Sequence, residues 1–89
     1  MRPVIIAANW KMHGTPSQAG ALAAVIAAAT QEASVVRVIC PPFVALAAVR
    51  DALVGQAVAV GAQTVHHEAA GAYTGEVAAG MLEGLATVP

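Results

Sequence analysis

Three short apolar runs, each leading into a segment of different period, constrain this chain more than anything else in it. Val4-Ile5-Ile6-Ala7-Ala8, Val35-Val36-Arg37-Val38-Ile39-Cys40 and Ala57-Val58-Ala59-Val60-Gly61-Ala62-Gln63 lack the strict polar alternation of a half-solvated strand. Such runs read as strands buried on both faces. After the first, Thr15-Pro16-Ser17-Gln18 predicts a helix start: Thr15 caps, Pro16 sits where a missing N–H costs nothing, and Gln18 closes a capping box. Leu22, Val25, Ile26 and Ala29 follow at spacings of three and four, which predicts their side as the buried face. After the second, Pro41-Pro42 ends the ladder, and residues 43–54 carry Leu46, Val49 and Leu53 at helical spacing before Gly55. A loop over 64–76 follows the third strand, and 77–85 predicts a short last helix. The unit recurs at roughly 25–30 residues, the length of a βαβ crossover, so the sheet is parallel. A closed barrel and an open doubly wound sheet both fit this pattern.

Composition narrows the functional classes. Four Lys and Arg against five Asp and Glu leave no basic footprint for nucleic acid and no acidic tail. The first apolar run breaks at Asn9 and Lys11, too short for a secretory signal, and the uncharged stretch 19–29 is far below the ~20 residues that span a bilayer. No membrane partner is expected. One cysteine, Cys40, permits no internal disulfide and suits a reducing cytoplasm. Of the 58% hydrophobic residues, 23 are alanines and only three side chains are aromatic. A core built this way is thin for a chain of 89 residues.

A dinucleotide-binding sheet needs glycines directly after its first strand, so that backbone N–H groups can reach a pyrophosphate. Here that turn holds Asn9, Trp10, Lys11 and Met12, with the first glycine at Gly14. In a parallel barrel, functional residues stand at the C-terminal ends of strands, where Asn9 and Lys11 fall. A single lysine past a strand is ordinarily a solvated charge. Its neighbours alter that reading.

Ala8-Asn9-Trp10-Lys11-Met12, Cys40-Pro41-Pro42, Gly61-Ala62-Gln63 and Gly71-Ala72-Tyr73-Thr74-Gly75-Glu76 occur in order along nearly the whole chain. This ordered set resembles the triosephosphate isomerase family. The resemblance implies an α/β fold, the first three βα units of a (β/α)8 TIM barrel, with residues 1–89 the N-terminal part of a single barrel domain. It implies interconversion of dihydroxyacetone phosphate and glyceraldehyde 3-phosphate by enediolate proton transfer, in glycolysis and gluconeogenesis. No metal and no organic cofactor is implied. Lys11 matches the family's catalytic, substrate-binding lysine, and Asn9 the residue that hydrogen-bonds substrate beside it. Thr74 matches a threonine that crosses into the second subunit of a homodimer, with Tyr73 and Glu76 in the same interface loop. Glu76 also matches a carboxylate that pairs with a later arginine. Trp10 is expected to pack the strand end.

Other polar residues carry less. His66-His67 suggests metal, but no Cys or third His completes a ligand set in the sequence pattern. Cys40 reads as a small buried hydrophobe. Thr64 and His67 depart mildly from the family pattern. The family continues into a fourth strand bearing a catalytic histidine, and later supplies a glutamate base and phosphate-gripping loops. His13, His66 and His67 do not match that histidine, and Glu76 does not match the base. The 89 residues by themselves are therefore expected to be inactive. The alternative reading is a non-catalytic α/β remnant or binding module that folds only by association with another chain.

Overall fold

The computed structural model describes residues 2–86; Met1 and the closing Thr87-Val88-Pro89 lie outside the described residues. The elements run β1 (Val4–Asn9), α1 (Pro16–Ala29), β2 (Val35–Cys40), a 3-10 turn (Phe43–Ala45), α2 (Leu46–Ala52), β3 (Val58–Val60) and a last 3-10 turn (Ala79–Leu82). The strands form one parallel sheet in the order β1-β2-β3, with Val4 opposite Val35 and Arg37 opposite Val58. That order excludes the doubly wound variant in which the first strand lies between the second and third.

Local chemistry sets α1 as the sequence implies. Thr15 Oγ1 accepts from the Gln18 N–H at 3.4 Å, Gln18 Oε1 accepts from the Thr15 N–H at 3.1 Å, and Pro16 opens the helix. A cap of this kind stabilises a helix by about 1 kcal/mol. The buried face differs from the one predicted. Ala19, Ala23 and Ala27, spaced by four, point into the core, whereas Leu22 and Val25 are 49% and 63% exposed. The reason is distance. Small side chains let α1 approach α2 closely, and a Cβ on Gly20 would already stand 3.5 Å from the Ala48 carbonyl oxygen. Since α1 has no charged residue, its sequence period could not choose a face.

The core lies between the helices and one side of the sheet. Ile39, Val58 and Val60 meet the three alanines together with Leu46, Val49 and Leu53, at the spacing predicted for the second helix. Each large side chain buried here contributes about 1.5–3 kcal/mol. By register and the period of two, Ile5, Ala7, Val36, Val38 and Ala59 occupy the opposite face.

Three other expectations change. β1 is not buried on both faces: it is the sheet edge among the described residues, with Val4, Ile5 and Ile6 54–60% exposed. The third strand shortens to Val58–Val60, extended by one bond from the Gly61 N–H to the Ile39 carbonyl at 2.9 Å. The predicted last helix is a single 3-10 turn, because Gly80 falls inside it and Gly84 (φ 81°) turns the chain out.

Arg37, on the helix side of β2, ties three elements. Its guanidinium donates to the Ala27 carbonyl at 3.1 Å and Thr30 Oγ1 at 3.1 Å, both at the end of α1, and to the Ala57 carbonyl at 3.3 Å before β3. A cation there meets the negative end of the helix dipole.

Candidate functional site

The three strands finish at one level. Asn9 pairs with Cys40, the Trp10 N–H donates to the Cys40 carbonyl at 3.0 Å, and Gly61 N–H reaches Ile39. Whatever follows each strand is therefore brought to the same rim. Asn9 ends β1 and Lys11 follows it, Pro41-Pro42 follow β2, and Ala62-Gln63 follow β3.

Lys11 is the one non-glycine residue with positive φ among the described residues, at 56°. A left-handed lysine costs about 1–2 kcal/mol, so something must hold it. Its N–H donates to Asn9 Oδ1 at 2.9 Å. Its carbonyl accepts from Gln63 Nε2 at 2.9 Å, and the same nitrogen donates to the Cys40 carbonyl at 3.0 Å. The lysine backbone is thus gripped on both sides while its side chain is exposed. Trp10, between Asn9 and Lys11, packs partly buried against the core, as expected of a strand-end wedge.

The approach of β3 to β2 depends on Gly61. A Cβ there would stand 2.9 Å from Cys40 Sγ and 3.4 Å from Val38 Cγ1. Glycine lets the strand ends close and carries Gln63 within reach of the lysine turn. Burial pushes the Cys40 thiol up, opposed in part by a hydrogen bond from the Gly61 backbone.

The 64–76 loop is folded on itself. His66 bridges to Ala78, its N–H donates to the Val77 carbonyl at 2.8 Å, and the Glu76 N–H closes a turn on the Tyr73 carbonyl at 3.0 Å. The His66 ring lies 4.1 Å from that of Tyr73 and 4.5 Å from that of His67. His66 Nδ1 accepts from the Glu68 N–H at 3.1 Å. Among the described residues no three potential ligands gather around one point. Tyr73, Thr74 and Glu76 are exposed on this loop, joined to one another by the turn. Asn9 and Lys11, by contrast, are bonded directly.

The rim so built offers a lysine whose backbone is held, with an exposed side chain, beside an amide. At ~4 Å from a developing anion, such a charge is worth up to about 4 kcal/mol at an effective dielectric of 20. The sequence reading missed the role of Gln63. Its position in Gly61-Ala62-Gln63 was a motif without a mechanism, and the only signal was a polar residue ending an apolar strand.

Comparison with known proteins adds the following. The sequence model of the family described as Triosephosphate isomerase matches residues 4–87. Triosephosphate isomerase of Clostridium beijerinckii is 45% identical over 85 residues, covering 96% of this chain and 34% of that protein. That of Clostridium perfringens is 46% identical over 85 residues, with the same shares. The crystal structure of triosephosphate isomerase from Bartonella henselae superposes with a TM-score of 0.80 at 34% identity, covering 96% of this chain and 35% of that one. The chain spans about a third of the length of the relatives it matches.

Proposed function

The chain belongs to the triosephosphate isomerase family, its sheet corresponding to the first βα units of a TIM barrel, and from that premise we propose that it serves the interconversion of dihydroxyacetone phosphate and glyceraldehyde 3-phosphate. It forms the N-terminal part of a single barrel domain. Lys11 supplies the cation that faces the substrate phosphate and the oxygen that becomes an enediolate. Asn9 holds the lysine N–H and donates its own amide hydrogens toward substrate. The observation that carries this reading is Lys11 at the strand-end rim, in a strained conformation fixed from both sides.

The family is itself a standard case of tuned acid–base chemistry, with a glutamate base, a neutral histidine and a closing loop. In that scheme the base takes a proton from the carbon beside the carbonyl, and charge develops on oxygen. A lysine already in place stabilises that charge without reorganisation. The Tyr73, Thr74 and Glu76 loop belongs, on this reading, to a homodimer contact, with Thr74 supporting the second subunit's lysine turn. The lone cysteine suits a reducing cytoplasm as the compartment.

The test is a graft. Residues 4–87 replace the matched third of the Clostridium beijerinckii relative, and the purified barrel is assayed in a coupled triose phosphate reaction. Turnover within about tenfold of the parent is expected, a margin of about 1.4 kcal/mol in transition-state binding. A folded barrel with no turnover overturns the reading.

The same graft tests the Arg37 tie. Arg37→Met should remove about 2 kcal/mol and lower the melting midpoint of the grafted barrel, roughly 250 residues long, by about 4–8 °C. Its kcat/KM should not change, because Arg37 faces the helices and not the rim. An unchanged melting midpoint would show that the three hydrogen bonds only exchange for water.

A further inference from the structure

We propose that Gln63 is a positioning residue for Lys11: its side-chain amide holds the lysine turn in the conformation that aims the cation. The proposal rests on the reading of Lys11 given above. A lysine does not adopt φ 56° by preference, so the turn needs an outside constraint. Asn9 supplies a constraint from within the turn, only two residues away. Gln63 supplies the other from 52 residues on, across two strands.

The chemistry of the contact leaves little choice of residue. Both partners, the Lys11 and Cys40 carbonyls, are acceptors, so the group between them must donate twice. A primary amide does this with the two hydrogens of one nitrogen. The Cys40 carbonyl also accepts from the Trp10 N–H, so both of its acceptor sites are used. One amide therefore locks the end of β2 to the carbonyl side of the lysine turn. The donor follows β3, whose own position depends on the Gly61 approach to Cys40. Glutamate has the right length but would present oxygens to two carbonyl oxygens. Methionine has the right size and no donor. In neither case is the charge of Lys11 removed. What changes is where it points, and a displacement near 1 Å costs on the order of 10²-fold in rate.

The experiment uses the grafted barrel and a double-substitution cycle. Gln63→Met and Gln63→Glu are each expected to lower kcat/KM about 10- to 100-fold, chiefly through kcat. In a Lys11→Met background the same substitutions should cost less than about threefold, since no charge remains to be aimed. A merely structural residue gives the same loss in both backgrounds. The proposal is overturned if either folded variant keeps wild-type kcat/KM, or if the losses multiply fully with that of Lys11→Met. It is equally overturned if neither variant yields a folded barrel, which would make Gln63 a folding residue. If Lys11→Met alone costs less than tenfold, the reading of Lys11 has failed instead, and the cycle separates the two results.

Discussion

Lys11→Met in a complete barrel carrying this segment should lower kcat/KM by at least two orders of magnitude, about 2.7 kcal/mol of transition-state stabilisation. Methionine keeps most of the length and the apolar stem of lysine and removes the ammonium with its charge and donors. A surface ion pair in water is worth at most about 1 kcal/mol, so a loss of this size requires a cation fixed in place before the reaction and shielded from solvent during it. The structure fixes the backbone from which that cation projects. The lysine turn is held at its N–H by Asn9 and at its carbonyl by Gln63. Lys11→Arg should recover little of the activity, because the planar guanidinium spreads its charge and its donors over a wider fork than a compact ammonium. Steady-state kinetics on the three proteins decides the matter. A loss below tenfold for Lys11→Met would reduce the lysine to a structural residue.

How much of this was legible in the sequence follows the range of each interaction. The α1 capping box spans four residues and needs nothing from outside, so Thr15, Pro16 and Gln18 could be read directly. The buried face of α1 could not. The helix is apolar all round, and the choice of Ala19, Ala23 and Ala27 over Leu22 and Val25 is made by how near α2 comes. The buried side of the second helix was read correctly in Leu46, Val49 and Leu53, although residues 43–45 form a 3-10 turn and the α-helix ends at Ala52. β1 was read as doubly buried from its Val and Ile residues, yet burial is a property of neighbours, and only β2 flanks it. At the rim, the placement of Asn9 and Lys11 at the end of β1 was legible through their motif. The left-handed lysine was not, since positive φ is signalled by glycine or asparagine rather than by lysine. The Gln63 contact was not legible either. A hydrogen bond across 52 residues leaves no local trace.

The 89-residue chain by itself should be associated or loosely packed in solution and should show no isomerase turnover above buffer. Its accessible surface is 6039 Å². A self-contained monomer of 8.8 kDa exposes about 4,800 Å² by the usual size scaling, so roughly a quarter more surface is open than a finished domain leaves. The shape agrees: a slab of 42 × 35 × 21 Å with a radius of gyration of 13.4 Å, against about 12 Å for a compact chain of this length. Large apolar side chains lie on that surface. Val4, Ile5 and Ile6 on the edge strand, Val36 on the sheet face away from the helices, and Leu22 and Val25 on α1 are all near or above half exposed. A parallel sheet with two edge strands among the described residues is a template for further pairing. Nine charged side chains of mixed sign give little repulsion to oppose it. Against this, backbone ordering costs about 1–2 kcal/mol per residue, and alanines return little area in exchange. Turnover should be absent for a separate reason: the family's histidine and glutamate have no counterpart among these residues, and a fixed cation alone moves no proton. Light scattering on a sizing column, an amide proton–nitrogen spectrum and the coupled assay report on the two halves independently. A monodisperse 8.8 kDa monomer with dispersed peaks and a cooperative melt would show that three βα units close their own core, and would favour the reading of an independent binding module. Turnover that disappears on Lys11→Met would instead show that the rim needs less than the family provides.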